Sequence, residues 1–154
     1  MASDLIGMLF EGGHLSTSTR GMVNDFVMKW DCGHFDALVD CNIFSESELA
    51  DRISEILGLD RIYSLGLEAI SQEALALVDF RDSYECGILP MQVEESGVVS
   101  IAIYDPFASA AQSLQKSWSY ATELYVVEKS MIRRRIIEAY PVGQQVKSLK
   151  MKRE

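Results

Sequence analysis

The chain has 154 residues, 48% apolar and 24% charged, which suits one ordinary domain or two small packed subdomains and excludes a disordered chain. Its net charge of −9, from 14 basic and 23 acidic residues, argues against nucleic-acid backbones and anionic lipid, because like charge slows and weakens such encounters. No apolar run nears the roughly 18 residues that cross a bilayer, and Met1 to Asp4 lacks the basic and apolar regions of a secretory signal, so a cytoplasmic location is expected.

Leu5, Ile6, Met8, Leu9 and Phe10 crowd the first segment, residues 4–12, which reads as a helix stopped by Gly12-Gly13. Ser16-Thr17-Ser18 offers N-cap hydroxyls, and Met22, Val23, Phe26, Val27 and Trp30 follow at the spacing of one helix face. Asp31-Cys32-Gly33 breaks that helix, and Phe35 to Val39 reads as a short apolar turn. Ser45-Glu46-Ser47-Glu48 has the form of a capping box, with Ser45 as cap and Glu48 at the third helical position. The helix it opens carries Leu49, Ile53, Ile56 and Leu57 and ends at Gly58.

Laying Asp4–Val27 over Gly33–Ile56, an offset of 29 residues, pairs Leu9 with Leu38, Phe10 with Val39, Glu11 with Asp40, Leu15 with Phe44 and Ser16 with Ser45. Identity is sparse, but the order of apolar segment, turn, cap and helix is kept. Two helical hairpins in tandem are expected.

From residue 59 the period changes. Arg61 to Leu65 reads as a short strand, and Ser71 to Val78 as a helix with Ala74, Leu75 and Val78 inward. Ile88 to Val93 and Val98 to Tyr104 are β-type runs joined by the turn residues Glu94-Glu95-Ser96-Gly97. Asp105-Pro106 ends the second run, Phe107 to Trp118 is helical again, and Leu124 to Val127 reads as a last strand. Ser130 is the expected cap of a final helix with Ile132, Ile136 and Tyr140 on one face, Arg133, Arg134 and Arg135 on its other sides, and Pro141 at its end. The expected fold class is α+β. Residues 1–58 form an N-terminal helical subdomain of two hairpin-like repeats, 59–141 a small α/β subdomain of order β-α-β-β-α-β-α, and 142–154 a basic tail or linker.

The chemistry-bearing residues assemble into no catalytic pattern. Cys32, Cys41 and Cys86 read as reduced thiols; Cys32, His34 and Cys41 lack a Cys-x-x-Cys knuckle, so no metal is expected. Nucleophilic catalysis needs a base beside its nucleophile, and neither His14 nor His34 lies in such a motif. No Gly-x-x-x-x-Gly-Lys-Ser/Thr loop is present to cradle phosphates. The carboxylates fall on helix starts and solvated faces. No enzyme activity and no cofactor are expected.

Leu57-Gly58-Leu59, Glu73-Ala74-Leu75, Ile88-Leu89-Pro90 and the strand end Tyr104-Asp105-Pro106, in that order, resemble the N-terminal domain of bacterial assembly ATPases, the motors of type II secretion and type IV pilus systems. The resemblance covers roughly residues 5–141. It implies a non-catalytic docking or regulatory domain, with an ATPase domain elsewhere in the full-length protein. The implied partner is the cytoplasmic part of an inner-membrane platform protein, which would hold the domain at the membrane without inserting it. A cyclic di-GMP sensor, or a stand-alone adaptor of the same fold, is the alternative.

In that family the first half can carry a cyclic di-GMP site of two tandem motifs, which fall here on the same two segments. Each family motif opens Arg-Leu-Gly, continues through an apolar pair, a Gly and a second apolar pair, and closes on Gln. The resemblance places the motif's apolar and Gly positions at Leu9, Phe10, Gly13 and Leu15, with Leu5 at the motif's Leu, and at Leu38, Val39, Ile43, Phe44 and Leu49. Asp4 and Gly33 stand where Arg belongs, Ile6 and Phe35 where the first Gly belongs, and Val27 and Ile56 where Gln belongs; His34 and Asn42 replace Leu and Gly in the second motif. Loss of both arginines removes the planar cationic fork that binds phosphate or a base edge. Cyclic di-GMP is therefore not an expected ligand, and the surviving apolar positions are expected to serve the core of the hairpins. Candidate contact residues for a protein partner are Trp30, Trp118, Phe107 and Tyr120, with Arg133–Arg135 as a possible strip.

Overall fold

A computed structural model describes residues 4–146 and divides the chain into two compact units, Met1–Leu59 and Asp60–Glu154. The basic stretch Lys147 to Arg153 lies outside the described residues.

Four helices make the first unit: α1 (Leu5–Glu11), α2 (Thr17–Trp30), α3 (His34–Asp40) and α4 (Glu46–Leu57). Ser16 Oγ accepts the Thr19 amide at 3.1 Å and opens α2. At α4 the expected capping box is present: Ser45 Oγ accepts from the Glu48 amide at 3.1 Å, and the Glu48 carboxylate accepts from the Ser45 amide at 3.3 Å. Gly58, at φ +65°, closes α4 in the left-handed conformation that glycine adopts without steric cost. The core of this unit is Leu5, Ile6, Leu9, Leu15, Val23, Phe35, Ala37, Leu38, Leu49, Ala50 and Ile53.

Two features of the first unit differ from expectation. The segment Phe35–Val39 is not a turn but the body of α3, which buries Phe35, Ala37 and Leu38; Asp36 sits in its first turn, where a carboxylate favours the helix dipole. On α2 only Val23 of the apolar face is fully buried, Phe26 and Val27 are half-buried, and Met22 and Trp30 are exposed. Helix α2 is the longest of the unit, with 14 residues against seven each in α1 and α3. Leu57 is likewise exposed beside the Gly58 cap.

The second unit runs β1 (Asp60–Arg61), a 3-10 turn (Leu67–Ala69), α5 (Gln72–Leu75), α6 (Phe80–Cys86), β2 (Ile88–Val93), β3 (Val99–Ile103), α7 (Ser109–Lys116), β4 (Thr122–Val126) and α8 (Lys129–Ala139). Its four strands lie in the order β1-β4-β3-β2. The β2–β3 hairpin is antiparallel, with a register shift between Pro90 and Gln92, and β3–β4 and β4–β1 are parallel. Both faces of the sheet are covered, so β3 reads as an unbroken buried run, Val99 to Ile103. One face packs Leu89, Met91, Ala102 and Val127 with Ile132, Ile136 and Tyr140; the other packs Ile88, Val99, Ile101 and Ile103 with Ala111.

Several boundaries shift for identifiable reasons. The expected strand Arg61–Leu65 stops at Arg61, because the chain then turns across α8: the Leu65 amide donates to Met131 Sδ at 3.3 Å and its carbonyl accepts from Arg135 Nε. The Ser71–Val78 helix is one turn, Gln72–Leu75, opened by Ser71 as expected. An additional helix, α6, lies where none was expected; Gly87 at φ +66° ends it, and a Cβ there would meet the Tyr104 ring. Helix α8 starts from Glu128 rather than Ser130, whose place is inside the first turn. Glu128 holds the nearly buried Arg61 guanidinium at 3.2 Å, so the end of β1 and the start of α8 are fixed together.

Candidate functional site

The tandem repeat is present in three dimensions down to its backbone conformations and hydrogen bonds. Asp4 and Gly33 are both extended N-caps, and Gly12 and Cys41 end α1 and α3 with nearly the same angles, φ −78° and −80°. Gly12 N–H bonds to Met8 O as Cys41 N–H does to Ala37 O, each at 3.0 Å. His14 N–H bonds to Leu9 O at 2.8 Å, and Ile43 N–H to Leu38 O at 3.0 Å. Between these lie Gly13 at φ +81° and Asn42 at φ +57°, both left-handed. Asn42 is thus a conformational substitute for the glycine it replaces, since Asn tolerates this region better than other side chains.

The apolar motif positions sit as core and near-core residues. Leu9, Leu15 and Leu38 are buried, Phe10, Val39, Ile43 and Phe44 are half-buried, and Gly13 is exposed. Arg20 stacks its guanidinium on the Phe10 ring, 4.4 Å from the centroid. The departures from the family pattern have structural duties of their own. Asp4 Oδ1 accepts the Gly7 amide at 2.7 Å and caps α1, placing a carboxylate at the helix N-terminus where an anionic ligand would otherwise be favoured. Ile6 and Phe35, at the two first-Gly positions, are 2% and 3% exposed. Val27 and Ile56, at the Gln positions, are half-buried.

Other candidates stand apart from this repeat. No group of three or more His, Cys, Asp or Glu among the described residues is placed to hold a metal ion. Burial, then the nearby Asp36 and Asp40 carboxylates, pushes the Cys32 thiol up; burial with Asp82 and Glu85 does the same at Cys86. Both therefore stay protonated near neutral pH, the opposite of a reactive thiolate. Trp118 stacks on Tyr120 with centroids 5.1 Å apart, and both are half-buried, as is Phe107; of the four aromatic contact candidates only Trp30 is exposed. The arginine strip divides: Arg134 is exposed, Arg133 lies over the Tyr84 ring at 5.3 Å, and Arg135 is held by Leu65 O and Glu138. Two of the three are thereby engaged within their own unit.

A duplicated helical hairpin in one unit, and a mixed sheet covered on both faces in the other, is the class of domain these observations define. The MshEN domain family matches residues 57–146. The chain belongs to that family, the N-terminal domains of type II secretion and type IV pilus assembly ATPases. Among solved structures, that of MshE with cdg, cyclic di-GMP, is similar at a TM-score of 0.69 and 18% identity, covering 88% of this chain and 97% of that one. The N-terminal domain of XpsE, in two crystal forms, is similar at TM-scores of 0.58 and 0.62, again at 18% identity, over 88% of this chain and 93% of that one. These likenesses extend the shared fold beyond the matched residues into the first unit. No curated protein sequence matches the chain. Among the described residues no helix is long and apolar enough to cross a membrane.

Proposed function

We propose that this domain is a non-catalytic docking module of a secretion or pilus assembly ATPase, which binds the cytoplasmic part of an inner-membrane platform protein and has given up cyclic di-GMP. The observation that carries the reading is the fate of the equivalent positions Ile6 and Phe35. Where the family motif has glycine, which lets backbone approach a ligand, this chain buries a large apolar side chain in both repeats. The Asp4 carboxylate, bound to its own helix N-terminus, adds negative charge at the position where the family motif has Arg. The repeat then persists as scaffold, and what remains for the domain is protein contact. It would act on the cytoplasmic side, peripheral to the membrane through its partner.

The test is co-purification of the full-length protein with inner-membrane components of the host's secretion or pilus machine. Retention of a platform protein supports the reading, and absence of any such component from the eluate overturns it. A sensor reading draws on one specific observation: MshE, of similar fold, is solved with cyclic di-GMP, and the left-handed turn is kept here at Gly13 and Asn42. Binding of that nucleotide would move the sensor reading ahead of the docking one.

A further inference from the structure

The apolar stripe of α2 does not end where the core of its unit ends. Val23 is fully buried, Phe26 and Val27, three and four residues on, are half-buried, and Trp30, next on the same face, is 62% exposed. The Phe26 and Trp30 rings are 6.2 Å apart, so the emerging stripe is one aromatic ridge continuous with the core rather than scattered surface residues.

The unit that carries the ridge is acidic. Asp31, which is exposed, caps α2 in the left-handed conformation, and Asp36 and Asp40 follow on α3. The last carbonyls of α2 add the negative end of its dipole. Lys29, over the Trp30 ring at 5.5 Å, is the basic residue in the last turn. From residue 4 to 59 there are ten Asp and Glu against three Lys and Arg, a balance of −7. An anionic membrane is repelled by such a surface.

We infer that the Phe26–Trp30 end of α2 is a docking surface for a cationic amphipathic segment of a partner protein, whose apolar side chains cover the ridge while its Lys or Arg residues face Asp31 and the other carboxylates of this acidic unit. This inference rests on the docking reading and gives its partner a chemistry. An exposed Trp beside a hydrophobic shelf has the composition of an interface hot spot, and the unit's excess of carboxylates sets the sign of the partner.

The test uses fluorescence of the full chain carrying Trp118→Phe, which leaves Trp30 as the tryptophan reporter. The probes are a synthetic Lys/Leu amphipathic peptide and its Glu/Leu counterpart. A blue shift of Trp30 emission with the Lys/Leu peptide alone, weakened in 0.5 M salt (roughly a 4 Å Debye length), is expected. Trp30→Ala should weaken binding of a labelled Lys/Leu peptide at least about tenfold, while Met28→Ala, at an exposed residue off the ridge, leaves it unchanged. Equal binding by the Trp30→Ala variant, shifts with both peptides, or a shift driven by protein concentration without peptide would each overturn the inference. The last outcome would assign the ridge to a second copy of the chain. In the co-purification assay, platform-protein capture that survives Trp30→Ala overturns this inference and leaves docking intact, whereas no capture by the unaltered protein overturns docking itself.

Discussion

Asn42 carries at one position what the repeat demands and what a reading of residue types alone misses. Compared with the family motif it is a lost glycine, yet its backbone at φ +57° reproduces that of Gly13 at φ +81°. The signal was available, because Asn is the side chain most at home after Gly in a left-handed turn. Asn42→Gly should therefore be neutral or slightly stabilising, whereas Asn42→Val, β-branched in that region, should cost about 1–2 kcal/mol in urea denaturation. Equal stability of the two variants would contradict the left-handed assignment. The Ser45–Glu48 capping box needed no such correction, since it depends on contacts within four residues and the sequence displays all of them. Exposure is the property least legible at this scale: Trp30 and Trp118 are the same residue type, and only tertiary packing separates the half-buried ring stacked on Tyr120 from the one left on the surface.

Elements were legible where a long periodic run had its own cap, and illegible where tertiary partners decide. The β2–β3 hairpin, α4 and the inward face of α8 follow from period and caps. Helix α6 does not, because its seven residues are mostly polar; its signals were the bounding Asp79 and Gly87 and the inward pair Phe80 and Tyr84. The start of α8 was misplaced by two residues because Glu128 is drawn to Arg61, 67 residues away in sequence, a contact no local pattern reveals. The end of α8 is pinned by Tyr140, whose hydroxyl donates to Val78 O at 2.7 Å. Burial first, with the carboxylates of Asp79 and Asp82 adding to it against the opposing pull of Ser83, pushes this phenol up to about 12. In the unfolded chain a tyrosine ionises near pH 10. The folded-state value is the higher of the two, so the stabilisation is fully present below about pH 10 and is lost as pH rises toward about 12. Tyr140→Phe should lower stability at neutral pH by roughly 0.5–1.5 kcal/mol and reduce the loss of stability on the alkaline side. Tyr120, also pushed to about 12 by burial, accounts for part of the remaining alkaline loss. An alkaline profile unchanged in the variant would contradict this role.

At the scale of the whole molecule, the chain joins two units whose sequences have kept different things. Residues 57–146 are matched by the family model, whereas the first unit, most of which lies outside that match, shares its fold with the solved structures. The 29-residue offset made the duplication visible in the sequence, since apolar spacing and caps survive there. What the sequence did not display is the structural role of each of these residues: Asp4 is a cap, Ile6 and Phe35 are core, and Asn42 is a turn residue. Each has a structural role of its own, which is the ground for the proposal that the domain docks rather than binds the nucleotide.

Calorimetric titration of the folded protein with cyclic di-GMP, its fold verified by circular dichroism in the same buffer, tests that claim most directly. The account predicts no heat of binding up to the highest nucleotide concentration used. Saturable binding with a Kd in the micromolar range would contradict it, and would mean that residues other than the missing arginines hold the phosphates.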